Sequence, residues 1–317
     1  MFAQKPIVVV GSINTDLVAV AGKIPAAGET VMGKDFQIHP GGKGANQAVA
    51  VARLGHPVQL IGRLGDDAFG AQLKTYLETA GVDIKGVATS EGASGVAMII
   101  LSSGGENSIV VTPGANAKVT PHDIAKNLER IRRAGIVLAQ LEIPLETVEY
   151  LAMVCAREEV PLILDPAPAR DLPAKLFKHI AWFTPNQIEA AFFAGVDAAN
   201  ANGTEPAAMA KAILSKGCNA ALLKLGPRGA YVASRTEPGT FVPAFAVKAV
   251  DTTAAGDAFN GGFATGLMLG KSPVESATFA AAVAGVSVTR HGAQPSMPAM
   301  AEVEALLEEA TARSNQK

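Results

Sequence analysis

The sequence predicts an α/β fold, a doubly wound and mainly parallel sheet flanked by helices, with a small β-sheet beside it. Short runs of apolar and β-branched residues recur along the chain, which is typical of strands buried on both faces of a parallel sheet. Segments with helical periodicity lie between these runs, and this alternation is the pattern of a doubly wound fold. In such folds, ligands bind outside the carboxyl ends of the strands.

The predicted elements follow one another along the chain. Strands are expected at residues 7–10, 58–61, 136–141, 162–164 and 220–225. Helices are expected at residues 45–54, 69–80, 145–158 and 205–216, with a closing amphipathic helix at 300–312. We assign residues 1–12, 41–95 and 113–317 to one α/β domain on this basis.

Two segments, residues 13–40 and 96–112, break the pattern because they alternate like strands and lack helical periodicity. Gly104-Gly105-Glu106-Asn107 lies between two strand-like stretches and has the chemistry of a hairpin turn. We interpret the two segments as one small β layer beside the main domain. The alternative is that they add strands to the main sheet.

Composition excludes several classes of function. The 317 residues are 49% hydrophobic, and 27 Lys and Arg stand against 29 Asp and Glu. A formal charge of -2 without a basic run gives no electrostatic footprint for nucleic acid or an anionic membrane. Cys155 and Cys218 lie in apolar stretches without metal-ligand spacing, so we expect buried thiols. The first residues lack the pattern of a signal peptide, and we expect a cytoplasmic protein.

The most informative stretch is AVDTTAAGDAFNGGF at residues 249–263. Its small residues at 254–256 allow a tight turn into a helix, whose free N–H groups and positive dipole end form an anion site. Asp257 lies in the first turn of this helix. A carboxylate that faces a bound polyanion is unfavourable unless it accepts a proton, so we interpret Asp257 as a general base. The alternative is that Asp257 only stabilises the helix N-terminus.

A second stretch, PGGKGANQ at residues 40–47, surrounds Lys43 with glycines that allow the backbone to approach a polar ligand. It is not a P-loop, because no Ser or Thr follows Lys43. The stretch ending in Gly270-Lys271-Ser272 also fails, because Thr265 stands where the motif needs its first glycine. No GxGxxG follows the first strand, so a dinucleotide fold is disfavoured. Taken alone, the second stretch could be an ordinary turn into a helix.

These two stretches resemble the two signatures of the ribokinase family of carbohydrate kinases, in the same order and near opposite ends of the chain. Further matches in register are GSINTD at 11–16, GETV at 28–31, QLE at 140–142, DPAPAR at 165–170, TPNQIE at 184–189, LG at 225–226 and VTRHGAQPS at 288–296. The resemblance spans nearly the whole chain. It implies a ribokinase-like fold in which the β layer is a lid over a sugar, and ATP-dependent phosphorylation of the primary hydroxyl of D-ribose to ribose 5-phosphate.

The resemblance also assigns roles to individual positions. It implies that Asp257 is the catalytic base and that Ala255 and Gly256 form the anion hole. The implied sugar contacts, besides Asp257, are Asn14, Asp16, Gly42, Lys43, Asn46 and Glu142. The implied ATP contacts are Asn186, Lys224, Leu225, Gly226, Pro227, Arg228, Gly229 and Gly256. For Asn14 and Asp16, simple capping of a turn is the alternative.

Metal sites follow from the same resemblance. Glu189 matches a Mg²⁺ site (or a site for another divalent cation) that acts through water, and its alternative role is to cap a helix starting near Gln187. K⁺ is implied as a monovalent activator. Its implied ligands are the side chains of Asp251 and Ser296 and the carbonyls of Thr253, Ser287, Arg290 and Gly292. The alternative is that Asp251 and Ser296 only cap local turns.

Three positions depart from the pattern common among members of this family. Lys224 stands where Thr is commonest, and a lysine there either adds a phosphate contact or partly blocks one. Asp165 replaces a common Asn before a proline-rich turn, which we expect it to shape. Ala254 stands where many members carry Gly.

Two alternative functions stay open. The first is a kinase of another sugar, such as 2-deoxyribose or fructose, on the same scaffold. The second is a catalytically silent sugar or nucleotide sensor, which the presence of Asp257 and the Asn-x-x-Glu pair at 186–189 disfavours. The expected partners are a small sugar and ATP, with no nucleic acid and no membrane, and a homodimer formed through the lid is expected by analogy.

Overall fold

The computed structural model describes residues 4–314. Its strands are β1 (Ile7–Val10), β2 (Asn14–Ala21), β3 (Gly33–Gly41), β4 (Val58–Gly65), β5 (Asp83–Ser90), β6 (Gly95–Ser102), β7 (Asn107–Thr112), β8 (Ile136–Ala139), β9 (Leu162–Leu164), β10 (Trp182–Phe183), β11 (Ala220–Lys224), β12 (Ala230–Ser234) and β13 (Thr240–Val242). Its α-helices are α1 (Lys43–Arg53), α2 (Ala68–Thr79), α3 (Pro121–Lys126), α4 (Leu128–Arg133), α5 (Leu145–Arg157), α6 (Ala174–Phe177), α7 (Gln187–Ala194), α8 (Pro206–Leu214), α9 (Ala255–Met268), α10 (Pro273–Ser287) and α11 (Met300–Ser314).

Nine strands form the main sheet in the order β13-β12-β11-β10-β9-β8-β1-β4-β5. The neighbours from β11 to β5 pair in parallel, and β12 and β13 add an antiparallel edge. The expected doubly wound and mainly parallel sheet is therefore confirmed. The chain passes to β4 on one side of β1 and to β8 on the other, so the strand order reverses at β1. Open α/β sheets bind their ligands at such a switch point.

The core lies on both faces of this sheet. Val8 and Val10 of β1 belong to one buried apolar cluster, and Ile7 and Val9 belong to the other, because successive side chains of a strand point to opposite faces. This explains why the predicted strands read as continuous apolar runs. All five are present, although β4 continues to Gly65 and β8 ends at Ala139.

Some strands were not expected from the sequence. The edge strand β5 has the sequence DIKGVATS and is only partly buried, so it lacks the apolar run that marks a central strand. The edge strand β13 is short and mostly exposed. The five expected helices are present as α1, α2, α5, α8 and α11, with ends shifted by at most two residues.

A separate four-stranded sheet has the order β3-β2-β6-β7. Strand β2 pairs antiparallel with β3 and parallel with β6, and β6 and β7 form a hairpin in which Leu101 lies opposite Asn107. The alternative of extra strands on the main sheet is therefore wrong, and the expected hairpin turn is confirmed. The division of the chain into a catalytic domain and a lid stays a prediction.

Two further expectations concern the cysteines and the membrane. Cys155 and Cys218 are both free and buried, as expected. No helix within residues 4–314 has both the length and the apolar character that a membrane span requires.

Candidate active site

A cavity of about 920 Å³ lies at the carboxyl ends of the parallel strands, beneath the four-stranded sheet. Its floor comes from the segments that follow β8, β9, β10 and β11 and from the start of α9. Its roof includes Ala97, Ile99, Ile109 and Val111 of β6 and β7. The volume is that of a site for a small molecule of cofactor size.

The Asp257 carboxylate is buried in the first turn of α9. Its Oδ2 accepts a hydrogen bond from Asn46 Nδ2 at 2.9 Å, and its Oδ1 accepts one from Gln47 Nε2 at 3.0 Å. Both donors lie on α1, so the contact between α1 and α9 fixes the carboxylate. Burial raises the pKa of Asp257 and the charge of Asp165 adds to this, whereas Lys43 and the two amide donors oppose it. A raised pKa suits a carboxylate that must accept a proton.

The N-terminus of α9 has the geometry of an anion site. Ala254 precedes the helix with φ 56° and ψ 15°, a left-handed conformation that is uncommon for a residue with a Cβ. In the described part of the chain, no side chain caps this helix end. Ala255 and Gly256 therefore line the cavity beside Asp257. The Ala255 amide donates to the Thr252 carbonyl at 3.2 Å, which leaves the Gly256 amide available to an anion.

The expected sugar contacts come together at the same cavity. Asn14, Asp16, Gly42, Lys43, Asn46 and Glu142 all line it. Glu142 Oε2 accepts hydrogen bonds from Ser12 Oγ at 2.5 Å and from the Lys43 amide at 3.2 Å. The Asn46 Oδ1 atom is buried and finds no partner among residues 4–314, so it is free to accept a hydrogen bond from a ligand hydroxyl.

Two glycines are required by this arrangement. Gly42 has φ 88°, which favours glycine, and it precedes the first residue of α1. A Cβ at Gly41 would lie 2.2 Å from Asp16 Oδ2, so only glycine leaves room for that carboxylate. The glycines of the 40–47 stretch thus shape the polar end of the cavity.

Charges in this part of the cavity are strongly coupled. Burial, followed by the charges of Glu142 and Asp257, raises the pKa of Asp16 to about 7, although Lys43 opposes the shift. Burial alone lowers the pKa of Lys43, but the carboxylates of Asp257 and Glu142 outweigh burial and raise it overall. Lys43 is therefore a fixed cation among carboxylates.

Only part of the expected ATP set lies at the cavity. Asn186, Lys224, Gly226 and Gly256 line it. The lining does not include Leu225, Pro227, Arg228 and Gly229. The last four belong to a short turn between β11 and β12, which begins at the cavity and leads away from it.

Asn186 and Glu189 cap α7. Asn186 Oδ1 accepts from the Glu189 amide at 2.9 Å, and Glu189 Oε2 accepts from the Asn186 amide at 2.7 Å. The alternative reading of this pair as a cap is thus confirmed, and both residues also line the cavity. Burial raises the pKa of Glu189, and Lys224 opposes the shift.

No cluster of three or more His, Cys, Asp or Glu side chains in residues 4–314 has the geometry of a metal site. A divalent cation beside Glu189 would therefore take much of its coordination from phosphate and water, as Mg²⁺ commonly does.

Lys224 forms a buried ion pair with Asp165. Lys224 Nζ lies 2.9 Å from Asp165 Oδ1, and the two side chains are only 10% and 3% exposed. Asp165 therefore does more than shape the proline-rich turn that follows it. Two of the three departures from the common family pattern are therefore in contact with each other.

The expected K⁺ ligands form two hydrogen-bonded groups near the start of α9. Asp251 accepts from the amides of Thr253 at 2.9 Å and Gly292 at 2.8 Å, and the Oγ atoms of Ser287 and Ser296 lie 2.8 Å apart. Burial alone would raise the pKa of Asp251, but these hydrogen bonds hold it below its usual value. Turn capping by Asp251 is therefore confirmed. The Arg290 side chain pairs with Glu302, which leaves only its carbonyl for a cation.

Several cavity residues were missed by the sequence analysis. Asn116 donates its Nδ2 to Asn14 Oδ1 at 2.7 Å, and Arg170 lines the cavity with an exposed side chain. Neither belongs to a motif with an obvious chemistry. The apolar roof could have been located from the alternation of residues 96–112, since Ala97 and Ile99 share one face of β6.

The sequence signature of the pfkB family carbohydrate kinases matches residues 4–300. The chain belongs to this family. The ribokinase of Bacillus subtilis (strain 168) is 43% identical over 308 residues, which cover 96% of this chain and 100% of that protein. The deoxyribokinase of Salmonella typhi is 35% identical over 297 residues, with 93% and 96% covered.

Among solved structures, an Arabidopsis thaliana ribokinase complexed with ribose and ATP superimposes with a TM-score of 0.88. It is 34% identical, and the match covers 96% of this chain and 99% of that one. Membership of the pfkB family confirms the resemblance drawn from the two signature stretches and the ribokinase-like fold.

We expect the Asp16 carboxyl to titrate in this pfkB kinase with a midpoint at about 7 rather than at its ordinary 3.8. The measurement is ¹³C NMR of carboxyl-labelled aspartate between pH 4 and pH 9, with the resonance assigned by Asp16→Asn. Glu142→Gln removes one neighbouring charge and leaves the burial, so the midpoint should fall in that variant. A wild-type midpoint near 4 would contradict the described electrostatics.

Proposed function

We propose that this protein transfers the γ-phosphoryl group of ATP to the primary hydroxyl of D-ribose, giving ribose 5-phosphate and ADP. The observation that carries the proposal is the buried Asp257 carboxylate beside the uncapped N-terminus of α9, facing a cavity with many polar groups. The sugar oxygen attacks the γ-phosphorus, its proton passes to Asp257, and the bond from phosphorus to the ADP oxygen breaks.

The sugar end of the cavity supports a polyol substrate. Carboxylates of Asp16 and Glu142 accept hydrogen bonds from hydroxyl groups, and Lys43 donates them. Asn46 holds Asp257 through its Nδ2 and keeps its Oδ1 for the substrate. The hydroxyl that reacts is thereby placed within reach of the base. Several fixed donors and acceptors are what a polyol requires for orientation.

The phosphate end uses the start of α9. The Gly256 amide, together with the helix dipole, stabilises the negative charge that develops on the γ-phosphoryl oxygens, and Ala255 lines the site beside it. The turn from Lys224 to Gly229 holds the nucleotide, with Gly226 nearest to the cavity. The roof formed by β6 and β7 closes over the sugar as a lid and excludes water.

Two cations fit the donors present. Glu189 would bind Mg²⁺ or another divalent cation through water, and that ion neutralises phosphate charge. Asp251, Ser296 and the carbonyls of Thr253, Ser287, Arg290 and Gly292 would hold K⁺, because they supply oxygen atoms of the kind that replaces its hydration shell. A carboxylate with a lowered pKa stays ionised for such a cation.

The proposal also specifies which sugar is phosphorylated. Ribose is favoured because the ribokinase of Bacillus subtilis is 43% identical to this chain, whereas the deoxyribokinase of Salmonella typhi is 35% identical. Kinases of 2-deoxyribose or fructose, and a silent sensor, are the alternatives to test.

The function is tested by ADP release from MgATP in K⁺ buffer with ribose, 2-deoxyribose, fructose and adenosine offered side by side. A kcat/KM that is highest for ribose is the expected result, and ³¹P NMR identifies the hydroxyl that is phosphorylated. Preference for another sugar would change the assigned substrate but leave the proposed mechanism intact. Binding of ATP without turnover of any acceptor would favour the sensor.

We expect Asp257→Asn to lower kcat by at least about a hundredfold, the usual scale for a general base. Asn keeps the shape of the side chain but cannot accept the proton, so the binding of ATP and sugar should change little. The measurement is steady-state kinetics with calorimetric binding of each substrate. Asp171→Asn, at an exposed aspartate, is the matched control and should have wild-type kinetics. Near-normal turnover of the Asp257 variant would show that this residue is not the general base.

Activity should fall several-fold when K⁺ is replaced by tetramethylammonium at the same ionic strength. The physical reason is that a bound cation orders the segment between Asp251 and Gly256, which carries the anion site. Asp251→Asn should abolish the difference between the two salts, because it removes the charged ligand. Equal wild-type rates in both salts would exclude a K⁺ site.

We also propose a homodimer formed through the lid. Residues Ile38, Leu17, Met98 and Val110 lie side by side across the four strands, on the face opposite to the cavity. Three of them are about half exposed, which makes an apolar patch that a second copy of this chain can cover.

Analytical ultracentrifugation should therefore give twice the chain mass of 32.4 kDa. Met98→Glu should give a monomer, whereas Met153→Glu should remain a dimer because that methionine is equally exposed on α5, away from the lid. A wild-type monomer at micromolar concentration would contradict the dimer.

A further inference from the structure

Beneath the cavity, four buried polar side chains and that of Lys224 form one continuous chain of hydrogen bonds. Gln140 Nε2 donates to Gln47 Oε1 at 2.7 Å. Gln47 Nε2 then donates to Asp165 Oδ2 and to Asp257 Oδ1, both at 3.0 Å. Lys224 Nζ closes the chain at Asp165 Oδ1, 2.9 Å away. Gln47 and Gln140 are completely buried, so this chain has no contact with water at its centre.

The amide of Gln47 is held in one orientation. Its oxygen is occupied by the donor from Gln140, so its nitrogen must face the two carboxylates. An amide nitrogen carries two hydrogen atoms, and each goes to a different carboxylate. Asp165 and Asp257 therefore share one donor group, which fixes them close to each other in a buried site.

Two carboxylates in such a site repel one another, and each makes ionisation of the other less favourable. The charge of Asp165 is indeed among the causes that raise the pKa of Asp257. Lys224 balances that charge from the far side of Asp165. Its Nζ would also lie only 3.5 Å from a Cβ placed on Gly256, the neighbour of Asp257. The ammonium group thus contacts Asp165 and lies beside the helix start that carries Asp257.

The other charged groups around Asp257 come from different elements. Lys43 faces it from the start of α1 and lowers its pKa. Asp16 faces it from β2, and the charge of Asp257 acts on Asp16 in turn. Glu142 and Glu189 act mainly on Lys43 and reach Asp257 less directly. Two cations, Lys43 and Lys224, thus stand among several carboxylates around Asp257. Removal of one cation makes ionisation of Asp257 less favourable.

We propose that Lys224 and Asp165 are positioning residues that, through the shared amide of Gln47, orient the Asp257 carboxylate and set the pH at which it accepts a proton. The proposal rests on the proposed role of Asp257 as general base. It gives Lys224 a role that follows from its ion pair with Asp165 beside the anion site.

Lys224 and Asp165 should shift the pKa of Asp257 in opposite directions. A merely structural role would not produce such a pattern. Lys224→Met removes the cation and leaves Asp165, so the pKa of Asp257 rises. Asp165→Asn removes the repelling charge and leaves the cation, so the pKa of Asp257 falls. In the double variant Asp165→Asn/Lys224→Met the pair has no net charge, as in wild type. The pKa of Asp257 should therefore return to near its wild-type value.

The test measures kcat/KM for the sugar against pH in wild type and the three variants. Because the base must be ionised, its pKa sets the acid limb of this profile. The limb should move up by about one pH unit in Lys224→Met, move down in Asp165→Asn and return to within roughly 0.3 unit of wild type in the double variant. Thermal midpoints show which variants are folded. If Lys224→Met does not fold, Asp165→Asn and the double variant still carry the opposite shift and its reversal.

A second readout does not depend on catalysis. The ¹³C-carboxyl resonance of Asp257 in metal-free protein should titrate with the same order of midpoints. If the resonance follows this order but the rate profiles do not, the pair controls Asp257 and the assignment of Asp257 as the base fails. Unchanged midpoints in all variants would overturn the proposal. An equal loss of ATP affinity in Lys224→Met and the double variant, without the opposite shifts, would overturn it in favour of direct phosphate binding by Lys224.

Discussion

The buried carboxylate of Asp257 is the constraint on which the rest of the site depends. Removing a carboxylate from water is costly unless hydrogen bonds and cations compensate for the lost hydration. Here the compensation comes from the amide groups of Asn46 and Gln47 on α1 and from the nearby Lys43. Helices α1 and α9 must therefore pack closely, and Gly261 allows this, since a Cβ there would lie 2.7 Å from the Cβ of Ala50.

The parallel sheet explains how distant residues meet at this carboxylate. Glu142, Asp165 and Lys224 follow or end strands β8, β9 and β11, and parallel strands present their carboxyl ends at one edge. The chain thereby brings side chains more than 80 residues apart into one polar network, while β8, β9 and the part of β11 before Lys224 remain apolar. Rigid strands suit this task, because a shift of 1 Å would break the shared hydrogen bonds of Gln47.

The sequence was sufficient for the parts of the molecule with a local signal. Most central strands are buried on both faces and read as apolar runs, whereas β5 is a half-exposed edge strand and was missed for that reason. The central strand β10 was also missed, because it has only two residues. Asp257 could be assigned because a turn, a helix start and a carboxylate adjoin in the chain. The Lys224–Asp165 pair could not, because its partners are 59 residues apart and each alone is only an unusual residue. An ion pair between residues at the ends of different strands can be recognised only when the arrangement of those strands is known.

One residue can both cap a local segment and bind a ligand. Asp251 and Glu189 each cap a local segment, as the simpler interpretation expected. An ionised carboxylate has about four lone-pair positions, and the hydrogen bonds that these two accept from the described residues do not fill all of them. Capping therefore leaves acceptor capacity for a cation and holds the carboxylate rigid, which lowers the entropic cost of binding the ion. In the proposed cation sites, the cap would thus be the means by which such a ligand is positioned.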